Sequence, residues 1–266
     1  MPIGVFDSGM GGLTVLAALQ QRLPNESFLY LGDTARLPYG TKSPATVQRY
    51  AEQAAALLLQ RGVKAVVVAC NTASGLALAH LRTKLAPVPV FGVVEPGAEA
   101  AAAAAEAAPV LVVATESTVR GGAYQRALLK RNPGLQVYAR ACPLWVTLAE
   151  QGPGEAPLIP HVLEHDLRGF LNGPAPVQTL LLGCTHFPVF AATLRQRYPQ
   201  VTVVDSASTT AAQVQTKLHA LGLLNDDDTP TQVHFLATDG GDRFRRVGGY
   251  FLGHTVPAVE VVDLAG

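Results

Sequence analysis

Short apolar runs, each closed by small or polar residues, recur along the whole chain and alternate with stretches of helical period. Runs of this length and Val/Leu content read as buried parallel strands, since a strand covered on both faces carries no alternating polar positions. They fall at residues 3–6, 28–31, 65–72 (AVVVACNT), 88–94, 110–114, 135–138, 179–186 (TLLLGCTH), 201–204 and 233–237. Between them the pattern predicts helices. One ends at Leu23 before Pro24. Another starts on Ser43-Pro44, an N-cap and first helical residue, carries Val47, Tyr50, Ala54, Leu57 and Leu58 on one face, and closes at Gly62. Further helices begin near Ser74, cover the Ala-rich tract 98–108 and residues 124–131, and run in a short piece to Glu150. The remainder carry Leu163, Leu167, Phe170 and Leu171, lead to Tyr198, follow Asp205-Ser206 to about Leu221, and cover 243–251. The segments 152–154 (GPG) and 225–230 read as loops.

Alternating strands and helices predict an α/β fold with mainly parallel sheets and helices on both faces. The layout repeats weakly. A strand leads into Asp7-Ser8 and a later one into Cys70; a strand leads into Thr115 and a later one into Cys184. The expectation is two pseudo-symmetric, doubly wound domains. One comprises residues 1–95 plus 207–266 and the other residues 96–206, with hinges near Glu95-Pro96-Gly97 and Asp205-Ser206. The carboxyl ends of parallel strands are where open α/β sheets bind ligands. A cleft between two such domains is the expected site.

Composition narrows the partners. Twenty basic residues balance twenty acidic ones, and no dense Lys/Arg run stands out. Nucleic acid and anionic membranes are therefore not expected partners. No segment reaches the roughly 18 consecutive apolar residues of a membrane helix. A hydrophobic content of 48% fits a packed protein. Three cysteines and no charged region ahead of the first apolar run point to a reducing cytoplasm, not to a disulfide framework.

The candidate chemistry lies at the strand ends. Cys70 and Cys184 close twin motifs, followed by Asn71-Thr72 and by Thr185-His186. A buried cysteine often only fills space, but two in matching contexts read as a facing pair. Cys142 has no such context and reads as structural. The Gly-rich turn DSGMGG after the first strand can present backbone N–H groups to an anion. It lacks the G-x-G-x-x-G order and the lysine of a nucleotide loop. Asp7 there reads either as a turn residue or as a functional carboxylate. Pro38-Tyr39-Gly40 is a rigid turn, or a binding loop.

Taken together, DSGMGG, LPYG, ACNT, ATEST, CPLWVTLAEQG and GCTHFP occur in an order that resembles the glutamate racemases, across essentially the whole chain. The resemblance implies a cofactor-independent two-base mechanism. One cysteine thiolate takes the Cα proton and the other, as a thiol, protonates the opposite face. Thiols suit this because a free thiol has a pKa of about 8.5, so modest shifts set thiol against thiolate near neutral pH. By the same resemblance Cys70 deprotonates D-glutamate and Cys184 L-glutamate. Asp7 assists Cys70, and His186 and Glu150 assist Cys184. Asp7, Ser8, Pro38, Tyr39, Gly40, Asn71, Thr72, Thr115, Thr118, Thr185 and His186 line the substrate site. It further implies a homodimer that supplies D-glutamate for peptidoglycan. Some relatives carry an N-terminal extension tied to activation by a wall precursor; this chain begins close to its first strand, so that regulation is not expected.

Other readings stay open on the sequence. Aspartate is an alternative substrate. Cys70, Cys184, His186 and Asp7 are all possible zinc ligands, though without CxxC or HxxxH spacing. A pyridoxal-phosphate racemase needs a Schiff-base lysine, for which only Lys42 lies near the motifs. Two lobes around a cleft also suit a ligand-binding protein without chemistry.

Overall fold

The computed structural model describes residues 1–152, 157–173, 175–225 and 231–264. Ten strands are found there: β1 Ile3–Asp7, β2 Phe28–Gly32, β3 Ala65–Val68, β4 Val90–Gly92, β5 Val110–Ala114, β6 Val137–Ala141, β7 Thr179–Gly183, β8 Thr202–Asp205, β9 Val233–Ala237 and β10 Val259–Val261. The helices are α1 Leu13–Arg22, α2 Pro44–Gln60, α3 Asn71–Lys84, α4 Val94–Ala105, α5 Glu116–Gly121, α6 Ala123–Arg131, α7 Pro143–Gln151, α8 Ile159–Leu171, α9 Ala191–Arg197, α10 Ser206–Ala220 and α11 Gly241–Leu252.

The strands form two parallel sheets, in the orders β10-β9-β2-β1-β3-β4 and β6-β5-β7-β8. The weak sequence repeat has a structural counterpart. The stretch β2-β1-β3-β4 and the whole second sheet share one strand order, so β1 corresponds to β5 and β3 to β7. Strands β1, β2, β3, β5 and β7 are buried along their full length. That burial is why their sequences read as unbroken apolar runs.

The chain crosses from the first sheet to the second between β4 and α4. Glu95-Pro96-Gly97, expected as a hinge, forms the first turn of α4, and β4 stops at Gly92. Proline is tolerated there because first-turn N–H groups have no helical acceptor to lose. The return crossing is the start of α10, where the Asp205 carboxylate accepts from the N–H groups of Ala207 and Ser208 at 3.1 and 2.9 Å. Helix α10 then packs on α1 and α4.

Three further elements differ from the sequence reading. The strand expected at 135–138 is displaced to Val137–Ala141. The short α5 precedes α6 across Gly122, whose φ of +63° only glycine adopts without strain. Strand β10 had no apolar run long enough to be seen. Most of the expected loops at 152–154 and 225–230 lies outside the described residues.

Candidate active site

Two strand ends of each sheet, those of β1 and β3 and those of β5 and β7, converge on a single small cavity. It is lined by Ser8, Pro38, Tyr39, Gly40, Cys70, Asn71, Thr72, Thr115, Val146, Cys184, Thr185 and His186 and has a volume of about 60 Å³. At roughly 10–15 Å³ for each water-sized probe, that is room for a few waters or one compact small molecule. A larger cavity of about 940 Å³ is walled by α4, α10 and the segment before β4, and contains none of these residues.

Cys70 follows β3 and is the N-cap of α3. Its sulfur accepts from the Ala73 N–H at 3.5 Å and donates to the Ser8 hydroxyl at 3.5 Å. The helix therefore starts at Asn71, earlier than the expected start near Ser74. Cysteine is not among the usual capping residues, so nothing in the sequence marked this start. Burial, and next the nearby Asp7 carboxylate, push the Cys70 thiol up to about 12. Asp7 ends β1 and is fully buried. Its Oδ2 accepts from the Gly9 N–H at 3.0 Å, and its Oδ1 has no partner. Burial raises its pKa, and the charge of His186 together with backbone N–H groups of Gly12, Gly9 and Ser8 opposes the rise. Gly12 fits because nothing larger would: a Cβ on it would lie 2.5 Å from that of Asp7.

Cys184 follows β7, the counterpart of β3. A 3₁₀ turn at Phe187–Phe190 separates it from α9, so the expected helix does not start directly after it. Its sulfur lies 3.8 Å from Nδ1 of His186, and Nε2 of His186 is 3.0 Å from Oε1 of Glu150 on α7. Burial alone would lower the imidazole pKa. The hydrogen bonds to Cys184 and Glu150 outweigh it and raise the value to about 10. Burial likewise works to raise the Glu150 pKa, but His186 and Arg243 hold it below the usual carboxylate value. The ring of His186 meets the edge of Phe251 on α11, with centroids 5.2 Å apart.

The polar wall comes from both sheets. The hydroxyls of Thr72, Thr115 and Thr118 bond one another at 3.0–3.1 Å. Asn71 accepts from the Tyr124 hydroxyl at 2.5 Å, while its buried amide nitrogen has no partner. The Thr14 hydroxyl donates to both the Gly11 and Thr185 carbonyls at 2.9 Å, tying α1 to the Cys184 turn. A Cβ on Gly40 would stand 2.9 Å from that of Thr115, so the Pro38–Gly40 turn closes directly on the second sheet.

Of the residues expected at the site, Asp7, Thr118 and Glu150 do not line the cavity; each instead touches or faces a residue that does. Tyr39 lines it, but its hydroxyl donates to the buried Asp33 carboxylate. Lys42 is not a wall residue. Among the described residues no three His, Cys, Asp or Glu side chains are grouped to hold a metal ion. Cys142 is buried with Arg140 and Asp166 nearby, in keeping with a structural role. The sequence reading missed Val146, Phe251 and Arg243. Val146 sits within CPLWVTLAEQG, but an apolar residue in a helix carries no sign that it faces a ligand.

A racemase family model, Asp/Glu/hydantoin racemase, matches residues 8–214. The chain belongs to this family. It is 41% identical over 264 residues to a glutamate racemase of Chlorobaculum parvum, covering 99% of this chain and 96% of the relative. The crystal structure of the Thermus thermophilus glutamate racemase with β-chloro-D-alanine matches with TM-score 0.88 at 46% identity, covering 99% of this chain and 97% of that one. The Francisella tularensis glutamate racemase, crystallised with D-glutamate, matches with TM-score 0.90 at 36% identity over the same shares. The racemase fold of these relatives is the two-sheet α/β architecture described above, and the protein is an amino-acid racemase.

Proposed function

We propose that the protein interconverts L- and D-glutamate by a two-base mechanism in which Cys70 and Cys184 act on opposite faces of Cα. The observation that carries this reading is that Cys70 and Cys184 line one small cavity, each free and each at the end of an equivalent strand. From L-glutamate, the Cys184 thiolate takes the Cα proton, and the bonding pair stays behind on Cα and its carboxylate. The Cys70 thiol then gives its proton to the other face, which leaves D-glutamate, a Cys184 thiol and a Cys70 thiolate. The reverse reaction starts from that state.

The pKa directions fit this order. Cys70 is held as a thiol, and His186 is held as an imidazolium against Cys184. Asp7, within electrostatic reach of Cys70, is the group suited to receive charge on that side, and His186 with Glu150 serves the other. The substrate's two carboxylates meet hydroxyls of Ser8, Thr72, Thr115 and Thr185, the free amide of Asn71 and the N–H groups at the start of α3. Every proton is assigned to a side chain, so the mechanism calls for no cofactor and no metal.

Glutamate, and not aspartate, is the substrate that the near-full-length relatives support. The same reading extends to two domains, residues 1–95 plus 207–266 and residues 96–206, and to a homodimer in the cytoplasm that supplies D-glutamate for peptidoglycan.

The test is racemisation of L-glutamate in deuterated water without added cofactor, with L-aspartate alongside. Early D-glutamate should carry deuterium at Cα while unreacted L-glutamate stays unlabelled, and D-glutamate should give the mirror result. Protium in early product, or label in unreacted substrate, would argue for one base serving both faces. Faster turnover of aspartate would reassign the substrate.

A further inference from the structure

The catalytic-side carboxylate Glu150 is shared. Its Oε1 faces Nε2 of His186 at 3.0 Å, and its Oε2 accepts from Nη2 of Arg243 at 2.7 Å. Glu150 belongs to α7, which follows the second sheet's β6, whereas Arg243 belongs to α11, between β9 and β10 of the first sheet. The contact therefore spans the two sheets' halves of the molecule.

Arg243 is well placed to hold a fixed position. It lies in the first turn of α11, whose start is anchored: the Asp239 carbonyl accepts from the Thr34 hydroxyl, and the Asp239 N–H donates back to it at 2.9 Å. Phe244, the next residue, is fully buried, and Phe251 on the same helix packs against the His186 ring. One helix of the first half thus both covers His186 and grips its carboxylate partner. Without Arg243, Glu150 would keep one hydrogen-bond partner and be free to turn toward solvent.

We propose that Arg243 is a positioning residue for the Cys184 half of the reaction, holding Glu150 on His186 from across the cleft and fastening the two halves over the bound amino acid. This rests on the reading of Cys184 and His186 given above. The groups that face the relay are Cys184, Glu150 and Asp7 around His186, and His186 and Arg243 around Glu150.

The test compares Arg243→Met and Arg243→Lys with wild type. Side-chain exposure of 46% at Arg243 makes both variants compatible with folding. Arg243→Met should lower kcat about two- to fivefold, the scale of a partly exposed ion pair. Arg243→Lys should recover most of the loss, because a single contact needs a cation and not a planar fork. The primary deuterium isotope effect should grow on α-deuterated L-glutamate, where Cys184 takes the deuteron, and not on the D-enantiomer. The His186 titration, followed by nuclear magnetic resonance without substrate, separates positioning from bulk charge. Loss of a nearby positive charge alone would raise the imidazole pKa, whereas release of Glu150 lowers it, and a fall is expected.

An Arg243→Met enzyme with wild-type kcat and isotope effects, or one changed only in KM, would overturn the inference. So would an unchanged or raised His186 pKa. If wild type turned over neither enantiomer, the reading of the site would fail, and the His186 titration would still decide whether Arg243 holds Glu150.

Discussion

Asp7→Asn separates what the site costs the fold from what it gives the reaction. The wild-type carboxyl is fully buried, with the Gly9 N–H bonded to Oδ2, the Gly12 and Ser8 N–H groups beside it, and Oδ1 unpaired. Burial raises its folded pKa above the ordinary aspartate value of 3.8. Between 3.8 and that raised value, the native protein keeps a proton that the unfolded chain has released. Wild-type stability from this group therefore falls as pH rises through that window. Asparagine has nearly the same shape, keeps an acceptor for Gly9 and cannot ionise. A buried, under-bonded carboxylate is destabilising by about 1–3 kcal/mol, and attraction to His186 offsets part of that. The variant should therefore be about 1–2 kcal/mol more stable than wild type at pH 8, or about 2–8 °C in Tm for a chain of this size. At pH 4 the advantage should shrink toward whatever the Asn side chain contributes by itself. Urea unfolding of both proteins at the two pH values gives this double difference, which cancels effects unrelated to ionisation. Racemisation should fall at least ~10²-fold, as loss of an acid/base partner does. A variant less stable than wild type at pH 8, or a difference equal at both pH values, would refute the reasoning that burial strains this carboxylate.

Cys70→Ala and Cys184→Ala should each cut turnover by at least ~10²–10⁴-fold with the fold intact by circular dichroism; a variant keeping a tenth of wild-type activity would remove that cysteine from the mechanism. Gly11→Ala puts a Cβ 2.4 Å from His186 Nδ1 and 2.6 Å from Thr185 Oγ1. It should displace the imidazole, cost about 1–3 kcal/mol of stability and lower kcat more than it raises KM; steady-state kinetics with thermal unfolding would show otherwise if the turn simply shifts away.

Much of the fold was legible because parallel strands buried on both faces, such as β3 and β7, write themselves as unbroken apolar runs. The cysteines were legible because those runs end on them in matching contexts. The misses have physical causes. Pro96 looks like a breaker in one dimension, yet the first turn of a helix has no hydrogen bond for it to remove. Gly122 divides α5 from α6 by a left-handed backbone that a lone glycine does not announce. Strand β10 is short and borrows its stability from β9. Arg243 was invisible because its meaning comes from a partner on the other sheet, and sequence distance says nothing of that pairing.

The shared strand order of the two sheets bears on stereochemistry. A protein built from L-residues cannot contain a mirror plane, yet its substrate pair are mirror images. Two sheets of shared strand order meeting at one cavity offer another way. In the proposed mechanism each half offers a sulfur at the same strand end, one for either side of a flattened carbon. What differs between the halves is the company the sulfurs keep: a lone buried carboxylate on one side, an imidazole relay on the other. Enantiomers in water have equal free energy, so that inequality cannot favour either product. Under the proposed mechanism it can only decide from which hand of the amino acid the resting enzyme is ready to start.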